Sequence, residues 1–273
     1  MHRDLHDAIA TVCEAAEDAR MRIVLVGALA SALAAEEESG CPAFRATNDS
    51  DFAVPVRNWE AYRALRDALT RAFTRDPQIE HRLHRGPAVV DLIPYGRHIA
   101  PSGTLTWPES GFEMTVVGFD EACSAAPRAA GNLPVPVITV PGFVLLKIVA
   151  FLDRQGRHDP KHGDDARDIA FWLRHFASGS QDARRFDLGH VIGPAHDDYD
   201  TAGAVLLGMD VGTLASVEAG GYVARLFECS VDPCSAFADA LARGQFPETA
   251  ESTRLQAVRL LAAFEKGYRH ARA

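Results

Sequence analysis

The run Asp49-Ser-Asp51-Phe-Ala-Val54 constrains this chain more than any other feature, because it sets two carboxylates at the start of an apolar segment. Side chains alternate between the faces of a strand, so Asp49 and Asp51 share one face while Phe52 and Val54 face a core. Two like charges side by side repel unless a cation lies between them. Mg²⁺ favours a few carboxylates together with phosphate oxygens. The pair therefore predicts a magnesium site and indicates phosphoryl or nucleotidyl transfer.

A strand, a glycine and a helix precede this acidic pair. Residues 22–26 form a short apolar run, Gly27 follows at once, and residues 28–38 have a helical pattern. Glycine at such a turn lets a phosphate approach the backbone, where the helix N-terminus offers unpaired N–H groups. The turn thus adds a phosphate-binding element to the predicted metal site.

Two further charges interrupt apolar segments. Asp91 stands inside the strand pattern Val-Val-Asp-Leu-Ile, and Lys147 interrupts the apolar helix pattern of residues 143–154. A buried charge is costly without a counter-charge, so Asp91 is expected to face a cleft. Lys147 is interpreted either as a lysine that reaches water along the helix edge or as a phosphate contact. The acidic residues elsewhere favour the phosphate contact.

A second acidic group begins the helix predicted for residues 164–176. Asp165 and Asp168 are three residues apart and therefore share a helix face. Acidic residues stabilise the N-terminal end of a helix dipole, and this interpretation suits Asp164 and Asp165 better than Asp168. The alternative is that one of these carboxylates belongs to a functional site.

The order of these patterns predicts two domains. Residues 1–125 read as a mixed α/β domain, residues 126–140 as a connector rich in Pro, Gly and Ala, and residues 141–273 as a helical domain. In the first domain we predict helices at 4–19, 28–38 and 59–73, and strands at 22–26, from 49 to about 56, at 88–93 and at 112–117. In the second we predict helices at 143–154, 164–176, 201–217, 219–229, 233–243 and 249–271.

The net charge of −9 argues against a general nucleic-acid binder. Contact with RNA would need a local basic surface on an acidic body. Arginines that can supply it lie at positions 71, 75, 82, 85, 154, 157, 167 and 174. Arg71 and Arg75 could equally lie on a solvated helix face, and for either one of them that interpretation is favoured.

The cysteines and the apolar runs indicate a cytoplasmic location. The five cysteines are scattered, odd in number and without CxxC spacing, which fits a reducing compartment and argues against a zinc site. No apolar run approaches the roughly 18 residues of a membrane span, and the N-terminal residues lack a signal-peptide pattern.

Four stretches resemble a known family. They are VGALASAL at 26–33, RATNDSDFAV at 45–54, VDLIPYG at 90–96, and LLKIVAFLDR at 145–154 with KHGDDARDIAFWL at 161–173. In order and spacing they are similar to the AbiEii-type (abortive infection) nucleotidyltransferase toxin family of the polymerase-β-like superfamily. The likeness implies an α/β polymerase-β-like nucleotidyltransferase domain with a mixed sheet. It also implies a helical C-terminal domain that completes the active-site cleft.

The resemblance also implies residue roles. Asp49 and Asp51 would hold Mg²⁺ or Mn²⁺, and Asp91 would support a second metal or the nucleophile. Lys147 would contact phosphate, and the following acidic motif maps on Asp165 or Asp168, of which Asp168 is favoured by its poorer fit to the dipole interpretation. The residues expected around the nucleotide are Gly27, Ala28, Ser31, Arg45, Thr47 and Asp165. Many superfamily members have serine where this chain has Ala28, so phosphate binding is expected either to rest on backbone N–H groups or to be weak.

The implied reaction is transfer of NMP from an NTP to an acceptor. In this family the acceptor is a nucleotide, in some members the end of a tRNA, and the enzyme is the toxin of a type IV toxin–antitoxin pair with a cognate antitoxin. Two alternatives remain open from the sequence. One is a nucleotidyltransferase that acts on a small molecule or a protein, and the other is a non-catalytic nucleotide-binding module.

Overall fold

The structure, a computed structural model, describes residues 3–37, 40, 48–127, 133–186, 199–230 and 250–273. Its contacts divide the chain into two compact units. Unit 1 comprises residues 1–34 and 43–139, and unit 2 comprises residues 35–42 and 140–273. The helix predicted at 233–243 lies outside the described residues.

Unit 1 contains a five-stranded mixed sheet and a separate two-stranded sheet. The strands are β1 (Val24–Val26), β2 (Asp49–Pro55), β3 (Thr74–Arg75), β4 (Arg82–Arg85), β5 (Ala88–Tyr95), β6 (Thr104–Thr106) and β7 (Glu113–Thr115). The large sheet has the order β1-β2-β5-β4-β3, and β6 pairs with β7. Strands β2 and β5 are parallel, and every other neighbouring pair is antiparallel. A mixed sheet in an α/β unit is therefore confirmed.

The helices that begin in unit 1 are α1 (Arg3–Asp18), α2 (Gly27–Glu37), α3 (Trp59–Leu69) and α4 (Phe119–Ser124), and the last three residues of α2 belong to unit 2. Helix α1 buries an apolar stripe of Leu5, Ile9 and Val12, and it contacts α3 and strands β2 and β5. Helix α3 begins where the Asn58 side chain accepts a hydrogen bond from the Ala61 N–H at 2.8 Å, which satisfies one free donor of the first turn.

Strand β2 is buried on both faces after its acidic start. Phe52 and Val54 are inaccessible, as the alternating pattern predicts, but Ala53 on the opposite face is inaccessible too. A central strand in a sheet covered on both sides gives this continuous burial. Asp49 and Asp51 at the start of β2 reach solvent, as does Pro55 at its end, whereas Ser50 is buried.

Unit 2 is helical, as predicted. Its elements are α5 (Val140–Gly156), α6 (His162–His175), a short 3₁₀ turn (Gly179–Gln181), α7 (Tyr199–Leu214), α8 (Val217–Ser230) and α9 (Ala250–Ala271). Pro141 lies in the first turn of α5, where its missing N–H breaks no helical bond. Within the described ranges, no helix is long and apolar enough to cross a membrane.

Small residues let α7 and α9 approach closely. A Cβ atom on Gly208 would overlap the carbonyl oxygen of Phe264, and one on Gly267 would overlap that of Val205. Gly221, on α8, has no atom within 4 Å of the position a Cβ would take. The two helices are therefore in backbone contact at Gly208 and Gly267.

We predict opposite effects for alanine at these glycines. Gly208→Ala must push α7 from α9 and should lower the free energy of unfolding by about 2 kcal/mol. Gly221→Ala, in open space on a helix, should raise it by roughly 0.5–1 kcal/mol. Urea denaturation of the two variants measures both, and equal effects would contradict the close approach of α7 and α9.

Candidate active site in unit 1

The turn between β1 and α2 brings a carboxylate against Gly27. Val26 is the register partner of Asp51 on the antiparallel strand β2, and Gly27 follows with φ +73°. A Cβ on residue 27 would overlap the Oδ2 atom of Asp51. Both the left-handed backbone and this contact require glycine. The predicted strand–glycine–helix turn is thus present, and its nearest side chain is one of the two predicted metal ligands.

Three acidic residues share one face of the sheet. Asp49 and Asp51 are two apart on β2, so their side chains point the same way. Asp91 is the register partner of Asp51 on the parallel strand β5. Partner positions on adjacent strands lie about 4.8 Å apart and project to the same side. Because like charges at this spacing repel, the row requires positive charge beside it.

Arg82 supplies positive charge at one end of this row. It is the partner of Asp91 on the antiparallel strand β4. Its Nε donates to Asp91 Oδ1 at 2.8 Å, and its Nη2 donates to Asp91 Oδ2 at 2.7 Å. The hydrogen bonds to Asp91, and beyond them the charges of Asp49 and Asp51, raise the pKa of Arg82 above its usual value. All three carboxylates therefore act on this guanidinium.

The sequence pattern shows Arg82 only as part of a basic stretch and does not by itself indicate a pairing with Asp91. The feature from which this pairing could be predicted is the hairpin turn between β4 and β5. Gly86 has φ +56°, and Arg85 faces Ala88 across a two-residue loop, which fixes the register of β4 and β5. Three residues away from the turn on each strand, residue 82 lies opposite residue 91.

A half-buried histidine also lies near Asp91. His81 Nε2 lies 3.9 Å from Asp91 Oδ2, and its ring is 5.0 Å from the Trp107 ring, centroid to centroid. Burial lowers the pKa of His81, although Asp91 acts in the opposite direction. At neutral pH the ring is therefore uncharged, and the positive charge bonded to Asp91 is that of Arg82.

The donor set suits a hard cation at Asp49 and Asp51. Carboxylate oxygens are the ligands that Mg²⁺ and Mn²⁺ prefer, and both residues lie at the solvent-accessible start of β2. Asp91 differs, since both of its oxygens accept hydrogen bonds from Arg82. Among the described residues, no group of three or more His, Cys, Asp or Glu side chains has a geometry that could hold a metal ion.

The remaining residues expected around the nucleotide fall in two places. Ala28 and Ser31 lie in the first turns of α2, where both are half-buried. Arg45 and Thr47 lie outside the described residues, so their predicted role stays a prediction.

Unit 2 contains a separate buried charge cluster. Lys147 on α5 contacts two carboxylates of α6, with its Nζ 3.0 Å from Asp165 Oδ1 and 2.7 Å from Asp168 Oδ2. Arg154 Nη1 contacts the second oxygen of Asp165. Burial would lower the pKa of Lys147, but the two carboxylates raise it above its usual value. The lysine is therefore charged and tied to both acidic residues.

This cluster changes three interpretations. Lys147 does not reach water along the helix edge, because its side chain is 16% exposed and its ammonium is ion-paired. Asp165 is completely buried, so stabilisation of the helix dipole does not account for it. Asp165 and Asp168 both contact Lys147, so the structure does not single out Asp168. The phosphate contact of Lys147 stays a prediction.

Most of the arginines proposed for RNA are already paired with carboxylates. The pairs are Arg75 with Asp67, Arg82 with Asp91, Arg154 with Asp165, Arg157 with Asp153, and Arg167 with Asp164. Each pair cancels the charge that the sequence reasoning counted as basic surface. The expected local positive surface is correspondingly reduced.

Comparison with solved structures returns distant neighbours. The solution structure of the antibiotic-resistance factor ANT(2'')-Ia matches with a TM-score of 0.37 and 14% identity, over 72% of this chain and 100% of that chain. The crystal structure of ANT(2'')-Ia in complex with adenylyl-2''-tobramycin matches with a TM-score of 0.34 and 14% identity, over 60% of this chain and 87% of that chain. No protein-family model and no curated protein matches the sequence. These scores carry no argument about function, and the resemblance to the AbiEii-type family stays a prediction.

We predict that Gly27→Ala is much more destabilising than Gly86→Ala. Both glycines have positive φ, so alanine costs about 1 kcal/mol at either position. Only at Gly27 does the new Cβ also meet Asp51, which should bring the loss to about 3 kcal/mol. Urea denaturation measures the difference.

Asp51→Ala serves as the background for a double-mutant cycle. Without the carboxylate, Gly27→Ala should cost little more than Gly86→Ala. An unchanged cost for Gly27→Ala in that background would contradict the contact between Gly27 and Asp51.

We also predict that Lys147→Met lowers the free energy of unfolding by about 3 kcal/mol, because it leaves two buried carboxylates without their shared cation. Lys266→Met, at an exposed position of α9, should change it by no more than about 0.5 kcal/mol. Thermal and urea unfolding of both variants test this, and equal values would mean that the cluster does not stabilise unit 2.

Proposed function

We propose that this chain is a divalent-cation-dependent nucleotidyltransferase, which moves a nucleoside monophosphate from an NTP to an acceptor hydroxyl. The observation that carries the proposal is the contact between the Asp51 carboxylate and Gly27 at the strand–helix turn. It sets a carboxylate, the type of group that binds hard cations, beside a helix N-terminus, which favours phosphate. Asp49 and Asp91 on the same face extend the acidic row.

The turn would bind the triphosphate through its backbone. Gly27 has no side chain to block the approach, and the first N–H groups of α2 have no intrahelical partners. With Ala28 in the position where many superfamily members have serine, these N–H groups carry the phosphate contact without a hydroxyl.

The acidic row would orient the reactants. Asp49 and Asp51 would hold Mg²⁺ or Mn²⁺, which when bound neutralises phosphate charge and lowers the pKa of a coordinated hydroxyl. Asp91, beside Asp51, would accept the hydrogen bond of the acceptor hydroxyl. The hydroxyl oxygen then bonds to the α-phosphorus, the bond from that phosphorus to the α–β bridging oxygen breaks, and pyrophosphate leaves while the proton passes to a carboxylate or to water.

Two classes of acceptor are compatible with this chain. An RNA acceptor such as a tRNA end, a toxin role and a cognate antitoxin come only from the family resemblance. The arginine–carboxylate pairs and the net charge of −9 are equally compatible with a small-molecule acceptor. The experiment below therefore offers both classes of acceptor.

The second candidate is a nucleotide-binding module without catalysis. Its supporting observation is the bidentate contact of Arg82 with Asp91, which occupies both oxygens of the third carboxylate. Ala28, in the turn between β1 and α2, also favours this candidate because it offers no hydroxyl to a phosphate. This candidate predicts NTP binding without release of pyrophosphate.

We predict that the wild-type protein transfers label from an α-³²P-labelled NTP, but not from the γ-labelled form, to RNA or to a small hydroxylated acceptor when Mg²⁺ or Mn²⁺ is present. Asp49→Asn with Asp51→Asn should abolish the transfer and the thermal stabilisation by cation and NTP, while the protein stays folded. Gel analysis, chromatography and thermal unfolding measure these outcomes.

The matched control is Glu17→Gln with Asp18→Asn, which removes two exposed negative charges of unit 1 at the end of α1. It should keep full transfer. Stabilisation by NTP without label transfer would favour the non-catalytic module. A double Asp49/Asp51 variant that transfers label like wild type would refute the site.

A further inference from the structure

Arg82 brings positive charge to the acidic row, which consists of Asp49, Asp51 and Asp91, at its Asp91 end. Its guanidinium forms a two-point contact with Asp91, and the charges of Asp49 and Asp51 also raise its pKa. A divalent cation ligated by Asp49 and Asp51 would face the same carboxylate of Asp91, since Asp51 and Asp91 are register partners. Two positive centres would then share one carboxylate.

We propose that Arg82 is the resident counter-ion of Asp91 and that a divalent cation binds this site in competition with the Arg82–Asp91 ion pair. The inference rests on the proposed function, because it takes Asp49 and Asp51 as cation ligands. Arg82 is then a positioning residue. It holds the Asp91 carboxylate in place before the cation binds and releases that carboxylate when the cation has bound.

The burial of the two partners favours movement of Arg82 rather than of Asp91. The Asp91 side chain is 8% exposed, whereas that of Arg82 is 26% exposed. A carboxylate this buried cannot remain without a counter-charge, but an arginine at the edge of the row reaches water through its long side chain. A bound cation would replace the counter-charge that Asp91 loses.

The neighbouring histidine does not take over this role. His81 Nε2 is 3.9 Å from Asp91 Oδ2, beyond hydrogen-bonding distance, and its ring is held against Trp107. Arg82 is therefore the group whose removal changes the positive charge at Asp91.

The test is calorimetric titration of Mn²⁺ into wild type, Arg82→Gln and Arg85→Gln, without nucleotide. A unit charge within several ångströms changes cation affinity by about tenfold or more at an effective dielectric constant of about 20. Arg82→Gln should therefore bind Mn²⁺ about tenfold more tightly than wild type. Arg85→Gln removes the same charge from the same strand, where Arg85 contacts Thr11 instead, and should leave the affinity unchanged.

Thermal unfolding provides a readout independent of activity. In EDTA, Arg82→Gln should melt below wild type, because Asp91 is buried without its partner. Saturating Mn²⁺ should reduce the difference in melting temperature between Arg82→Gln and wild type. The double variant Arg82→Gln with Asp91→Asn should not show the tenfold gain in Mn²⁺ affinity, because it lacks the Asp91 carboxylate for which Arg82 and the cation compete.

The wild-type protein itself gives a further measurement, which also serves if Arg82→Gln does not fold. The Nε–H resonance of Arg82, assigned by its absence in Arg82→Lys, should move on titration with Mg²⁺ as the contact to Asp91 opens. Mg²⁺ binding that leaves this resonance unmoved would overturn the proposal.

The remaining outcomes separate this proposal from the proposed function. Equal Mn²⁺ affinity in wild type and Arg82→Gln, or an equal gain in Arg85→Gln, would overturn the competition and leave the nucleotidyltransferase intact. Absence of Mn²⁺ binding in wild type and in Arg82→Gln, with and without NTP, would overturn both.

Discussion

Repulsion among carboxylates is the constraint on which this site depends. Asp49, Asp51 and Asp91 project from one face of two adjacent parallel strands, and the Asp51 carboxylate is also pressed against Gly27. Three like charges at strand spacing are unfavourable unless positive charge is present. Arg82 supplies such charge at Asp91, where it donates two hydrogen bonds to the carboxylate. The same repulsion is the reason that we propose a cation site at Asp49 and Asp51.

The register of the sheet determines which side chains lie next to one another in this site. The antiparallel pairing of β1 and β2 sets Gly27 beside Asp51, and the parallel pairing of β2 and β5 sets Asp51 beside Asp91. The tight hairpin between β4 and β5 then sets Arg82 opposite Asp91. A shift by one residue in any pair would turn one of these side chains to the other face. Backbone pairing therefore positions every charged group of the row.

Local patterns were enough to predict part of this arrangement. The strand–glycine–helix turn, the shared face of Asp49 and Asp51, and the strand around Asp91 follow from periodicity and from the need of a buried charge for a partner. Partners distant in sequence were harder to predict. Strands β3 and β4 are short and polar, so no apolar alternation predicts them. Without β4 in the predicted sheet, the sequence does not indicate that Arg82 lies beside Asp91. The pairing of Lys147 with both Asp165 and Asp168 likewise requires two helices to meet.

The central claim is that the acidic row and the Gly27 turn together bind a cation and a triphosphate. Crystals grown with Mn²⁺ and an NTP analogue that cannot be cleaved between its α- and β-phosphates test this claim most directly, through the anomalous signal of the metal. The account predicts a manganese peak about 2.1 Å from carboxylate oxygens of Asp49 and Asp51, with phosphate against the backbone of Gly27. A metal bound elsewhere, with these two carboxylates unligated or the nucleotide remote from Gly27, would contradict it.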